Sequence, residues 1–255
     1  MNNIKRPLLD YFGGKWRIAN KIIANFPEHK SYVEVFGGAA SVLFKKQPSK
    51  NEIYNDINSE VFNLFKVLRD SPDQLQHLLK LTPYSREEYK ACRTSSSNEI
   101  EQARRTIVKS WFGIGDSLDN NTGFRVSLSQ GGSTTSPWVN YVDCLHAYSE
   151  RLRSVILENL DYKELITRYD KSDTLFYVDP PYTPISRNKL NAYRYEFNMK
   201  QHTELLELLN NLKGTVILSG YEKGYETLTW PKIVIPARAN GSGGRNEILW
   251  IKERL

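Results

Sequence analysis

Sulfur is scarce in this chain. Two cysteines, Cys92 and Cys144, stand in 255 residues, too few for a disulfide framework, so a reducing, cytoplasmic setting is expected. The four histidines, His29, His77, His146 and His202, lie far apart in sequence and show no zinc-ligand spacing. No metal site is expected. No apolar run approaches the roughly 18 residues of a membrane helix. The opening "MNNIKRPLLDY" lacks the apolar stretch of a secretory signal. Neither a membrane nor an export route is expected. Internal repeats are missing, and low complexity is confined to Ser95-Ser96-Ser97 and the Gly/Ser-rich 131–136 region.

What is present supports a folded core. Hydrophobic residues make up 40% and aromatics 12%, which argues against global disorder. The net charge is +6 and the pI about 9.1. That balance favours a polyanionic partner such as nucleic acid, although many basic proteins bind nothing anionic.

Three stretches follow one another. Up to about Asp70 the pattern is strand–helix–strand–helix. "YFGGK" leads into a helix whose face carries Ile18, Ile22, Ile23 and Phe26, closed by Pro27. "SYVEVF" and "NEIYN" read as strands, "AASVLFKK" and "INSEVFNLFKVLRD" as the helices after them. Such alternation predicts a parallel sheet. From 71 to 156 the alternation breaks into helices at "PDQLQHLLKL", "SREEYKACR", "NEIEQARRTIVKSWFGI" and "WVNYVDCLHAYSERLRSVI". A long polar loop between Gly113 and Pro137 carries a candidate hairpin at "FRVSLS". Alternation then resumes with "LENLDY", "TLFYV" and "TVILSG" as strands and "KQHTELLELLNNL" as a helix. "KIVIP" and "NEILWIKE" read as an antiparallel edge pair.

Chemistry gathers at the strand ends. Glu34 to Ala40, "EVFGGAA", joins a strand to a helix, where small residues let a ligand approach the backbone. Asp56 ends the next strand, about 20 residues on, where an acid can hold ribose hydroxyls. The plainer reading is a tight turn and a helix cap. Gly13, Gly14 and Lys15 can form an anion nest with a cation beside it, or simply a helix-start turn with a solvated lysine. "TLFYVDPPY" ends a buried strand in an aspartate and two prolines, which donate no backbone N–H and fix φ. The result is either a plain turn or a rigid polar tip at a ligand-bearing sheet edge.

Taken in order, "YFGGK", "VEVFGGAASVLF", "NDIN", "DPPY" and the later "FNMKQHTELLELL", "VILSGY" and "NEILWI" resemble the Dam-type (D12 class, alpha arrangement) DNA adenine N6-methyltransferases along nearly the whole chain. DPPY occurs in other amino-group methyltransferases too, whereas the ordered set is specific. The resemblance implies an α/β, Rossmann-like S-adenosylmethionine-dependent methyltransferase fold, mostly parallel with an antiparallel edge. Residues 1–70 and 157–255 would form the catalytic domain, and 71–156 a mainly helical target-recognition insertion. It implies a site-specific adenine methyltransferase acting on double-stranded DNA in a bacterial or phage-infected cell, with S-adenosylmethionine as cofactor. Tyr11 and Lys15 would contact the cofactor's methionine end. Glu34, Phe36 and Gly38 would shape its pocket, and Asp56 would bind the ribose. Asp161 or Tyr162 would lie by its adenine. Asp179, Pro180, Pro181 and Tyr182 would hold the target base, with Asp179 also near the cofactor. One departure stands out: Ala40 occupies a position where the family often has glycine, and alanine disfavours positive φ.

The implied chemistry accounts for the DPPY residue types. An adenine amine is a weak nucleophile because its lone pair is delocalised into the ring. The Asp179 carboxylate and the Pro180 carbonyl accept hydrogen bonds from it, aimed in advance by two fixed φ angles. Tyr182 can stack on the base. A base inside a duplex must be flipped out to arrive there. Arg104, Arg105 and Lys109 on one helix, and Arg125 in the long loop, are candidate DNA contacts, each with a solvated face as the plainer reading. RNA or protein-glutamine methylation, and a non-catalytic binding protein keeping the fold, remain the alternatives.

Overall fold

The computed structural model describes residues 4–10, 13–115, 118, 122–126, 135–186, 195–236 and 246–254. Among them, seven strands form one sheet: β1 Ser31–Glu34, β2 Asn51–Asn55, β3 Val155–Glu158, β4 Thr174–Val178, β5 Thr215–Gly220, β6 Lys232–Pro236 and β7 Asn246–Lys252. Their order is β3-β2-β1-β4-β5-β7-β6. β1 to β5 pair in parallel, and β7 runs antiparallel to both β5 and β6. This is the mostly parallel sheet with an antiparallel edge that the sequence leads one to expect. The expected edge pair is met, with β7 lying between β5 and β6.

Alternation within each strand places the core. Tyr32, Tyr54, Leu175 and Tyr177 enter one apolar cluster. Val33, Ile53, Phe176 and Val178 enter another. Both faces of the sheet are therefore buried, as parallel sheets require. The first face is covered by α1 Ala19–Ile23, α2 Ser41–Lys45 and α3 Ser59–Asp70, the second by α9 Tyr162–Tyr169 and α10 Met199–Asn210. Local signals start these helices. The Asn58 side chain caps α3, and Asn198 with Gln201 forms a reciprocal capping box on α10.

The middle stretch folds as α4 Pro72–Leu81, α5 Arg86–Ala91, α6 Glu99–Phe112, α7 Ser136–Asp143 and α8 Leu145–Leu152. α6 packs across α3 and α4, and α8 packs on α3. Leu75, Ile107, Phe112 and Tyr148 thus share one cluster with Tyr54 and Phe65. A buried ion cluster adds to this: Arg151 of α8 donates to Glu52 of β2, which Lys46 also contacts. Two expectations are corrected. The run 138–156 is not one helix: it breaks at Cys144, whose φ of −89° and ψ of 4° leave the helical region. Its β-branched end, Val155-Ile156, read as the end of that helix, belongs to β3. Of the expected hairpin, Gly113 and Phe124 form an isolated bridge; residues 127–129 lie outside the described residues.

Candidate active site

Chain order puts the site at a switch point. After β1 the chain moves to β2 on one side, while β4 lies on the other. The segments leaving β1, β2 and β4 all open at the carboxyl edge between these strands, the usual ligand crevice of an open α/β sheet. There a pocket of about 310 Å³ is lined by Lys15, Phe36, Gly38, Asp56, Tyr162 and Asp179, among others.

The glycine turn is built by its neighbours. A Cβ on Gly37 would sit 2.1 Å from the Tyr54 ring, so only glycine fits. Gly38 has φ 49° and Ala40 φ 50°, both left-handed. At Ala40 this conformation costs about 1–2 kcal/mol. Its methyl is fully buried in the core, which offsets about 0.8 kcal/mol of that cost. The departure from glycine is therefore accommodated with the turn intact. Asp56 holds the turn from across: one carboxylate oxygen accepts from Gly38 N–H at 2.8 Å, the other from Asn58 N–H at 2.8 Å. Asn55, the first residue of "NDIN", donates to the Val35 carbonyl at 2.9 Å and accepts from Leu160 N–H at 2.8 Å. It ties the loops after β1 and β3 together.

An aromatic wall closes one side. Phe36, Tyr162 and Phe197 meet with ring centroids 5.4–5.8 Å apart. Asp161 caps α9 by accepting from Lys163 N–H at 2.9 Å and lines the pocket beside Tyr162. Glu34 turns inward, accepting from Tyr32 Oη at 2.8 Å and Leu43 N–H at 3.0 Å. Burial pushes its carboxyl up to about 8 despite those two donors, which favours its neutral form. Ser41 lines the same pocket, is 5% exposed, and its Oγ has no hydrogen-bond partner among the described residues. A buried orphan hydroxyl at a pocket wall fits a polar ligand.

Charge concentrates at the other end. The Lys15 ammonium donates to both Asp179 oxygens at 2.7 Å and to Tyr182 Oη at 2.8 Å. Tyr182 Oη donates in turn to Glu247 Oε2 at 3.1 Å, and Ser219 Oγ donates to Glu247 Oε1 at 2.6 Å. Burial opposes the Lys15 charge, but Asp179 and Glu247 outweigh it and hold the ammonium well above its usual range. Burial also pushes the Asp179 carboxyl up to about 6, against the pull of Lys15 and with a further push from Glu247. The Tyr182 ring packs against Tyr221, with centroids 4.3 Å apart.

Lys15, Glu34, Phe36, Gly38, Asp56, Asp161, Tyr162, Asp179, Pro180, Pro181 and Tyr182 therefore converge on one pocket. Tyr11 lies outside the described residues. The four candidate DNA-binding cations stand elsewhere, each in an ion pair. Arg104 joins Glu88 and Glu101, and Arg105 joins Glu101. Lys109 joins Glu60, and Arg125 joins Asp10. Arg125 is the most open of them, with its side chain 34% exposed against 12% for Arg104. Ser219 and Glu247 went unassigned in the sequence, although they sit inside the quoted "VILSGY" and "NEILWI". Nothing in one sequence reveals that β7 folds back beside β5 to bring them together.

The chain is 25% identical to the "Type II methyltransferase M.MjaIII" of Methanocaldococcus jannaschii, covering 95% of both chains. It is 26% identical to the "Type II methyltransferase M1.LlaDCHI" of Lactococcus lactis subsp. cremoris, over 84% of this chain and 80% of that one. It is 26% identical to the "DNA adenine methylase" of Haemophilus influenzae, over 82% of this chain and 75% of that one. Residues 11–227, which include every wall of the pocket, match the family model of the "D12 class N6 adenine-specific DNA methyltransferase". With its glycine turn and its Asp-Pro-Pro-Tyr tip inside that match, the chain belongs to the D12 class of N6 adenine-specific DNA methyltransferases.

Proposed function

We propose that the chain is a site-specific adenine-specific DNA methyltransferase. In this reading it transfers methyl from S-adenosylmethionine to N6 of an adenine flipped out of duplex DNA. The observation that carries the reading is the position of the Asp179 carboxylate, in the same pocket as the Gly38–Asp56 turn. Donor and acceptor can then meet in one enclosed space.

The residues fit the cofactor. Asp56 suits ribose hydroxyls, though its carboxylate already steadies the turn. The Phe36, Tyr162 and Phe197 wall suits an adenine face, with Asp161 beside it. Ser41 Oγ and the Gly13–Lys15 segment suit the polar methionine end. When bound, S-adenosylmethionine supplies an electrophilic methyl on a sulfonium. Asp179 and the Pro180 carbonyl accept the hydrogens of the target amine. They stabilise positive charge as it develops on N6, in a site where burial strengthens each contact. The amine lone pair forms the new N–C bond as the S–C bond breaks. N6 then loses a proton, to Asp179 or to water. Arg125 is the candidate to contact the duplex around the extruded base.

The test is transfer of labelled methyl to duplex DNA and to RNA, followed by digestion to nucleosides. N6-methyldeoxyadenosine is expected, unaffected by a chelator. Label only in cytosine, preference for RNA, or strict dependence on a divalent ion would each contradict the reading.

A further inference from the structure

We propose that Glu247 is a positioning residue that draws Lys15 away from Asp179, so that Asp179 can accept hydrogen bonds from the target amine. The inference rests on the proposed methyl transfer for what Asp179 does, and on geometry for what Glu247 does. In the structure Lys15 spans both Asp179 oxygens. Those are the acceptors the amine needs, so a lysine fixed there competes with the substrate.

A second anion stands behind it. Lys15 Nζ lies 3.6 Å from Glu247 Oε1, and Tyr182 Oη bridges from Lys15 to Glu247 Oε2. Ser219 Oγ anchors the carboxylate from β5. Glu247 is 3% exposed and lies behind Lys15 and Tyr182, so it reaches the substrate only through them. The buried centre thus contains one ammonium and two carboxylates. Lys15 can shift its charge from Asp179 towards Glu247, and the Asp179 carboxylate it leaves is then open to the hydrogens of the target amine. The extra negative charge also suits a site where positive charge passes from a sulfonium to an amine.

Titratable groups from several elements interact electrostatically with Asp179. They are Lys15 from the N-terminal segment, Glu34 from β1, Tyr177 from β4, Tyr225 after β5, and Glu247 from β7. Among these, Glu247 is the carboxylate whose charge raises the Asp179 proton affinity. Its removal should therefore leave Asp179 more tightly held by Lys15 and titrating at lower pH.

The experiment compares wild type with Glu247→Gln by two readouts. In the ligand-free protein, the Asp179 carboxyl is titrated by carbon-13 NMR, assigned with Asp179→Asn. The expected midpoint in Glu247→Gln is lower by about one pH unit. In steady-state kinetics, kcat is expected to fall by about tenfold or more with KM for DNA and cofactor nearly unchanged. The acid limb should move with the NMR midpoint. Ser219→Ala, which keeps the charge, should keep that limb. An unmoved midpoint, or a loss that appears only in KM, would overturn the assignment. Should the glutamine variant fail to fold, Glu247→Asp decides: its shorter side chain withdraws the carboxylate from Tyr182 and Lys15, and an unchanged kcat would overturn the assignment. A wild type that methylates no adenine would sink the proposed reaction, while the NMR midpoint would still judge the electrostatic role of Glu247.

Discussion

Asp179 carries the sharpest single-residue consequence. It must be ionised to accept hydrogens from an amine, and burial has pushed its carboxyl up from 3.8 to about 6. Protonation below that point turns one acceptor into a donor. The single-turnover rate should therefore be flat above pH 7 and fall about tenfold per pH unit below about 6. Asp179→Ala should lower the rate by about 10²-fold or more, as loss of a preorganised charge partner does. Rapid-quench measurement from pH 5 to 8 checks both. A rate in Asp179→Ala equal to wild type would remove the carboxylate from the chemistry. Glu34 needs no such ionisation: burial favours its neutral form, and it serves as a buried acceptor for Tyr32 and Leu43.

At the scale of elements, the turn after β1 and the helical insertion make different demands. The turn is fixed by sterics. Gly37→Ala would drive a methyl into the Tyr54 ring, and that ring stacks on Phe65 with centroids 4.1 Å apart. Neither ring can yield without disturbing α3. A loss of about 1–3 kcal/mol is expected, as for other overpacked cores, measured by denaturant unfolding; an unchanged midpoint would contradict the packing described. Among the basic residues between β2 and β3, ion pairing and exposure differ. Arg104, held by Glu88 and Glu101, should on mutation to Ala reduce stability by about 1.5–3 kcal/mol. Arg125 pairs with Asp10 at a more open position. Arg125→Ala should leave the fold stable and weaken DNA binding. If it reads a guanine edge, the cost is about 1–3 kcal/mol at one base. If it touches phosphate, the loss is even across sequences and the salt slope falls by about one. Binding of specific and scrambled duplexes at two salt concentrations separates the cases, and identical affinities would remove Arg125 from the interface.

Over the whole molecule, the sheet was legible because alternation and strand-end residues are local signals. β1, β2, β4 and β5 follow from apolar runs bounded by Gly, Asp and Pro. The pocket was legible for the same reason: its residues lie in short motifs at the strand ends. What one sequence withholds is pairing at long range. The clamp of Lys15 on Asp179 spans 164 positions and the Ser219–Glu247 bond spans 28; no local pattern encodes either. The break at Cys144 was hidden because the apolar period of α7 runs on into α8. The acidic partners of Arg104, Arg105 and Lys109 were likewise invisible, since a helical wheel shows a charged face and not what folds against it. Among the described residues, no helix is long and apolar enough to cross a membrane.

In the proposed reaction this pocket places methyl on N6 of adenine in duplex DNA through Asp179. The most direct measurement is methylation-sensitive sequencing of genomic DNA from a methylation-free host expressing the wild type or Asp179→Ala. The expected result is N6-methyladenine concentrated at one short recurring sequence with the wild type and lost with the variant. Unmodified adenine with the wild type, methyl on cytosine, or equal modification by both proteins would contradict it.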